Sequence, residues 1–211
     1  MDILPAILCE TKEELEARLN ACNGLVERVH VDFADGLFVP HVLPDMAVFN
    51  SLQSRLKFEV HLMVQEPVAW VQEALKNTQI ETIIIHVEAT VEVEALIALV
   101  HQQGRKIGLA LKPQTLGVSI NRWLDTLDQV LFLLVEPGFN GSAVVESVVD
   151  KIATFHQRYP HIYVEVDGGV SDRNIAKLAK AGAQRVAVGS YLAQDMMSRL
   201  KLLHTLVGDN Q

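Results

Sequence analysis

A chain of 211 residues, 49% hydrophobic and 21% charged, is long enough for one large domain. Its net charge of −8 at neutral pH argues against a nucleic-acid or anionic-membrane partner, since either wants a basic face. The sequence has no apolar run long enough to span a bilayer and no basic-then-apolar leader, so we expect no membrane span, no signal peptide and a cytoplasmic protein. A small anionic ligand stays open, because backbone N–H groups at glycine loops and helix N-termini hold phosphate without a cationic surface. Cys9 and Cys22 lack CxxC spacing and read as buried thiols of a reducing compartment.

From the N-terminus, short apolar β-like runs alternate with segments of helical periodicity. The predicted strands are Ile3–Leu8, Arg28–Asp32, Phe58–Met63, Thr82–Val87, Lys106–Leu111, Gln129–Val135, Ile162–Asp167 and Arg185–Val188. Among the helices, the first runs from Lys12 to Cys22 with Thr11 as N-cap and Leu15, Leu19 and Cys22 on one stripe. The fourth runs from Val91 to Gln103 and ends at Gly104, and the seventh begins after Ser171 and closes at Gly182. Eight βα units without a linker or a shift in composition predict an α/β fold, a single (β/α)8 TIM barrel domain over residues 1–211. A doubly wound open sheet fits less well, and no GxGxxG fingerprint follows the first strand.

The stretch RVHVDFADGLFVP, Arg28 to Pro40, organises the functional reading. Strand alternation places Val29 and Val31 on one face and His30 and Asp32 on the other, just before the turn signal Asp35-Gly36. Parallel α/β proteins keep their chemistry at such strand ends. The pair suits part of a metal site or half of an acid/base pair, or else a hydrogen-bonded pair inside a barrel.

Other strand ends converge on the same mouth. The third strand ends in His61 and Met63, and the fourth in His86-Val87-Glu88, a same-face pair suited to support as much as to direct contact. The seventh ends in Asp167-Gly168-Gly169. A helix follows, so a hairpin is excluded and the glycines read as room for a ligand beside the backbone. EPGFNG (Glu136–Gly141) and VGS (Val188–Ser190) complete a glycine-rich rim of the kind that binds phosphate. His30, Asp32, His61 and Asp167 make a four-ligand set for one divalent ion, Zn, Mn, Fe or Co rather than Mg alone. Two aspartates on strands two and seven, read as opposite sides of the mouth, suit removal of a proton from one face of a carbon and its return to the other. The metal would hold the developing enediolate.

These motifs, with PAIL at Pro5–Leu8, HVDFADGLFVP at His30–Pro40, VHLM at Val60–Met63, HVEA at His86–Ala89 and EVDGGV at Glu165–Val170, resemble the ribulose-phosphate 3-epimerase family over nearly the whole chain. The resemblance implies a barrel enzyme that inverts C3 of a ketose phosphate, interconverting ribulose 5-phosphate and xylulose 5-phosphate in pentose phosphate metabolism, and it implies a homo-oligomer. By matching position His30, Asp32, His61 and Asp167 are metal ligands, and Asp32 and Asp167 the acid/base groups. Ala6, His61, Gly138, Phe139, Asn140, Gly141, Gly168, Gly169, Gly189 and Ser190 would contact the sugar phosphate, largely through main-chain amides.

Departures from the family pattern cluster at the mouth. Ala6 stands for a serine, Ala34 and Leu133 for methionines that crowd the metal, and Asn140 and Ser142 for a glycine and a glutamine. His41 and Lys112-Pro113 replace asparagine and Asn-Pro. These changes spare the aspartates and point to a relative acting on another ketose phosphate, such as a hexulose 6-phosphate. Two rivals are a decarboxylase or aldolase barrel and a non-catalytic sugar-phosphate-binding barrel. The first uses a DxKxxD stretch, whereas Asp32-Phe33-Ala34-Asp35 has no lysine. Retained acidic groups, costly to keep together without a cation or proton, argue against the second.

Overall fold

Strand alternation settles the architecture. The computed structural model describes residues 1–137 and 144–208. Among them, parallel strands β1 (Asp2–Ile7), β2 (Arg28–Ala34), β3 (Lys57–Met63), β4 (Ile80–His86), β5 (Lys106–Leu111), β6 (Gln129–Leu133), β7 (Val164–Asp167) and β8 (Arg185–Val188) follow one another round a closed barrel. The ring closes where Asp2 to Pro5 of β1 pair with Arg185 to Val188 of β8. This is the expected (β/α)8 barrel.

The strand ends differ by a few residues from the sequence reading. β4 begins at Ile80 rather than Thr82, β2 continues to Ala34, and β6 stops at Leu133. These strands are buried on both faces, so hydrophobicity does not fall where pairing ends. The helices are α1 (Lys12–Cys22), α2 (Met46–Asn50), α3 (Val68–Ala74), α4 (Val93–Gln102), α5 (Ser147–Arg158), α6 (Ile175–Ala181) and α7 (Met196–Leu206). As expected, the Thr11 hydroxyl accepts from the Glu14 N–H, and Gly182 caps α6 at φ 104°. After β5 the chain forms a 3-10 run, Gly117–Thr126, instead of an α-helix. Gly117, Val118, Ser119 and Asn121 are poor α formers, and the run still buries Ile120, Trp123 and Leu124 against the barrel. Cys9 and Cys22 are free, buried thiols.

Two packing layers result. Val29, Val31 and Phe33 of β2 point outward, into the large apolar layer shared with the helices. The inward faces carry a small aliphatic cluster of Ile84, Ala110, Leu131 and Leu133 beside a polar layer of Glu59, Gln129, Glu165 and Arg185. Gly108 makes room for that layer, since a Cβ there would lie 2.8 Å from Gln129 Cγ. Gln129 Nε2 donates to Glu59 (2.9 Å) and Glu165 (2.7 Å), and Arg185 Nη1 donates to Glu59 Oε2 (2.7 Å) and Gln129 Oε1 (3.2 Å).

Burial opposes the Glu59 charge, but His30 and Arg185 outweigh it and hold this carboxyl well below the ordinary range. Glu165 is raised, by burial and by the Glu59 charge. The layer therefore holds one carboxylate, one carboxylic acid and one guanidinium. Removing one partner of a buried pair strands the other. Arg185→Met is expected to cost about 3–5 kcal/mol in urea unfolding, and adding Glu59→Leu to recover part of that loss. A single variant as stable as wild type would show that the pair contributes nothing.

Candidate active site

The inward faces of β2, β3 and β7 end in the polar groups singled out above. Strand register sets Asp32 level with His61 and Ala34 level with Met63, while Asp167 lies level with Leu133 and Ala187. One ligand atom from each of His30, Asp32, His61 and Asp167 lies within 4.8 Å of the others. Both histidines are fully enclosed, Asp32 is buried, and Asp167 is half-buried at the mouth. β7 and β2 stand three steps apart on a ring where four is diametrically opposite, so the two aspartates reach toward each other from nearly opposite sides of the mouth.

Each imidazole is held from behind. His30 Nδ1 lies 2.9 Å from Glu59 Oε1, so its N–H points into the polar layer. That leaves His30 Nε2, buried and without a hydrogen-bond partner, facing Asp32 Oδ1 at 3.4 Å. His86 does the same for His61. Burial pushes His86 down to about 4, so it is neutral, and its Nδ1–H donates to Glu88 Oε2 at 3.0 Å. Glu88 is ionised: burial opposes its charge, but His86 and Thr115 outweigh burial and bring it to about 2. His86 Nε2 then accepts from His61 Nε2–H at 2.9 Å. By this assignment from hydrogen-bond partners, the His61 lone pair sits on Nδ1, 2.8 Å from Asp32 Oδ1.

These residues fit a divalent ion. Two imidazole lone pairs and two carboxylates converge, and imidazole donors favour first-row transition ions over magnesium. The charge balance agrees. Burial disfavours a charged His30, yet Asp32, Glu165 and Glu59 outweigh it and raise its pKa well above the ordinary value, so the spot retains positive charge. Burial likewise opposes ionised Asp32, but His30 outweighs burial and holds its carboxyl well below the usual range. Asp167 is raised, by burial and by the Asp32 charge. Asp167 thus holds a proton far more readily than Asp32. His30, Glu59 and Glu165 also cluster with metal-like spacing, but Arg185 and Gln129 engage one oxygen of each glutamate and make that cluster the ion-pair layer of the barrel.

The remaining candidates are distributed around the rim. Ala6 is level with His30, Gly189 passes beside it with a built Cβ 3.5 Å from Ala6 O, and Ser190 is exposed. Gly168 and Gly169 adopt φ of 95° and 64°. A Cβ at either would fall 2.6 Å from Val135 or Val144, so the turn and the neighbouring chain require glycine there in addition to any ligand. Gly138, Phe139, Asn140, Gly141 and Ser142 lie outside the described residues. Glu59, Glu165, Gln129 and Arg185 escaped the sequence reading. Alternation was the available signal, since Glu59 precedes His61 by two residues and Glu165 precedes Asp167 by two.

A model of the ribulose-phosphate 3 epimerase family matches residues 2–193. The chain is similar to the ribulose-phosphate 3-epimerase of Helicobacter pylori, 32% identical over 207 residues that cover 95% of this chain and 92% of that protein. It is similar also to ribulose-phosphate 3-epimerase 1 of Cupriavidus necator, 34% identical over 177 residues covering 79% and 73% of the two. Among solved structures, the 3-hexulose-6-phosphate synthase from Salmonella typhimurium matches with a TM-score of 0.75 over 100% of both chains at 12% identity, a likeness of fold alone.

The metal fit has a direct test. One Zn, Mn, Fe or Co ion per chain is expected by elemental analysis after reconstitution, with a higher melting temperature than after chelation. Glu59→Gln, which weakens the acceptor behind His30, is expected to lower metal affinity about 10–100-fold. Folded protein that takes up no divalent ion would overturn the fit.

Proposed function

This chain belongs to the ribulose-phosphate 3-epimerase family and is an isomerase, and from that premise we propose that it inverts C3 of a ketose phosphate by two-base proton transfer. The observation that carries the reading is the pair of aspartates whose carboxylates converge at one mouth, with Asp167 holding a proton more readily than Asp32. Environments that push two carboxyl groups apart assign them base and acid roles.

Asp32 takes the C3 proton, and the electron pair left on carbon delocalises onto the C2 carbonyl oxygen. Asp167 delivers its own proton to the other face of C3, the C2 carbonyl re-forms, and the two aspartates have exchanged protonation states. The opposite epimer uses them in reversed roles. His30, His61 and the two aspartates would hold the divalent ion, whose chemistry when bound is Lewis-acid stabilisation of negative charge on the ketose oxygens. Glu59 keeps the His30 lone pair at the mouth, and Glu88 with His86 does so for His61.

In this reading Ala6, Gly168, Gly169, Gly189, Ser190 and residues 138–141 face the sugar phosphate, within one domain spanning the chain. Ribulose 5-phosphate and xylulose 5-phosphate are the first pair to test, with hexulose 6-phosphates next, because Ala6, Ala34, Lys112 and Leu133 depart from the family pattern around the aspartates and not at them. The likeness to a hexulose-phosphate synthase is one of fold, and Asp32-Phe33-Ala34-Asp35 at the end of β2 lacks the lysine of the DxKxxD pattern.

Metal-reconstituted protein in deuterated water is expected to place solvent deuterium at C3 of one of these ketose phosphates and to form its epimer, as read by NMR. No exchange with any of them would overturn the reading. Asp32→Asn and Asp167→Asn are each expected to lower turnover about 10²–10⁴-fold with the fold intact by circular dichroism. Near-normal turnover in either variant would remove that aspartate from proton transfer.

A further inference from the structure

The strands begin at the barrel end far from the aspartates, and there cationic side chains gather at one cavity. The chain carries 18 Lys and Arg against 26 Asp and Glu. Even so, Arg28, Arg105, Lys106 and Arg185 line one cavity of about 370 Å³, together with Glu81, Thr82 and Gly104. Arg28, Lys106 and Arg185 are the first residues of β2, β5 and β8, whereas Asp32 and Asp167 lie near the C-terminal ends of β2 and β7.

The single lining carboxylate is already engaged. Glu81 Oε2 accepts from Arg28 Nε (3.1 Å) and Nη2 (2.6 Å), and Lys57 Nζ stands 3.7 Å from Oε1. Arg185 is paired on its inner side through Nη1 with Glu59, and its Nη2 faces Asp2 at 3.4 Å. Its side chain is only 9% exposed, and Nε is buried without a hydrogen-bond partner. Arg105 Nε is likewise buried and unpartnered, and its Nη2 reaches only the Thr78 carbonyl at 3.4 Å. Four cationic side chains around one engaged carboxylate leave the cavity with net positive charge, which favours an acceptor that carries several oxygens and negative charge.

We propose that this cavity is a second, non-catalytic binding site, specific for a small phosphate monoester. A tetrahedral oxyanion offers acceptors to Arg105 and Arg185 together, and guanidinium groups match phosphate geometry. The cavity is at the small end of ligand sites, which suits the phosphate ester of a short polyol rather than a dinucleotide. The site makes no use of the aspartates and stands independently of the epimerase reading. Through Arg185 it adjoins the layer whose Glu59 holds His30.

The test is isothermal titration of the metal-loaded protein with inorganic phosphate and with glycerol 1-phosphate, at physiological KCl so that counterion attraction is screened. Arg185 is left intact, because its loss unpairs Glu59. The variants are Arg105→Gln with Lys106→Gln, and separately Lys106→Glu, with folding checked by circular dichroism. The mouth is unchanged in each, so any anion bound there is common to all. Wild type is expected to bind one more phosphate per chain than the double variant, or to bind at one site at least about tenfold more tightly. Lys106→Glu is expected to weaken the same site. Tighter binding of glycerol 1-phosphate than of phosphate assigns the organic part to the cavity, and equal binding assigns the phosphate group alone. Identical stoichiometry and affinity in wild type and folded variants overturn the proposal, as does displacement of the extra phosphate by KCl.

Discussion

The carboxylate of Glu59 joins the two ends of this barrel. It is fully buried, accepts from His30 on one oxygen, and accepts from Gln129 and Arg185 on the other. A lone ionised carboxylate at that depth would take up a proton, because burial disfavours the charge. Arg185 below and His30 above keep it ionised, and the proton resides on Glu165 instead. The polar layer is self-consistent only when all of its members are present. The Asp32 and Asp167 mouth therefore stands on a foundation that is electrostatic as well as apolar.

That foundation determines what the mouth can bind. A histidine is a metal ligand only with its lone pair turned toward the ion, and the acceptor behind each ring fixes which nitrogen carries the hydrogen. Glu59 does this for His30 from beneath, and the Glu88-His86 pair does it for His61 from the side. The two supports come from different strands and share no group. Both leave a lone pair facing Asp32 Oδ1, an arrangement that repels itself unless positive charge lies between. The raised proton affinity of His30 is the same demand expressed with a proton.

Much of this was legible in the sequence. His30 and Asp32 follow from alternation around Val29 and Val31, and the Thr11 cap and the Gly182 stop are local chemistry that neighbours do not alter. The 3-10 run at Gly117–Thr126 was not legible, because its buried spacing at Ile120, Trp123 and Leu124 is also that of an α-helix. The polar layer was hidden for a different reason. Arg185 and Glu59 are 126 positions apart and meet only because the ring closes, so nothing local announces that they are a pair. A charged residue at the start of a strand ordinarily reads as solvated, and only closure turns Arg185 inward.

The departures from the family pattern can be weighed on the same terms. Ala34 packs with Val39, Leu43 and Met63, and Leu133 with Ile84, Ala110 and Leu131, so each position is closed by aliphatic neighbours. Lys112 is the departure with an electrostatic consequence. Its ammonium lies 3.9 Å above the Phe38 ring, which in turn stacks 4.5 Å from His86. Burial is the main reason that His86 stays neutral, and the charge of Lys112 acts in the same direction. A neutral His86 gives its one proton to Glu88 and accepts from His61, whereas a charged one would offer a second N–H and remove the acceptor that orients His61. Lys112 thus reinforces the tautomer on which the mouth depends, and a pocket with an altered lining still presents the same two lone pairs to the aspartates.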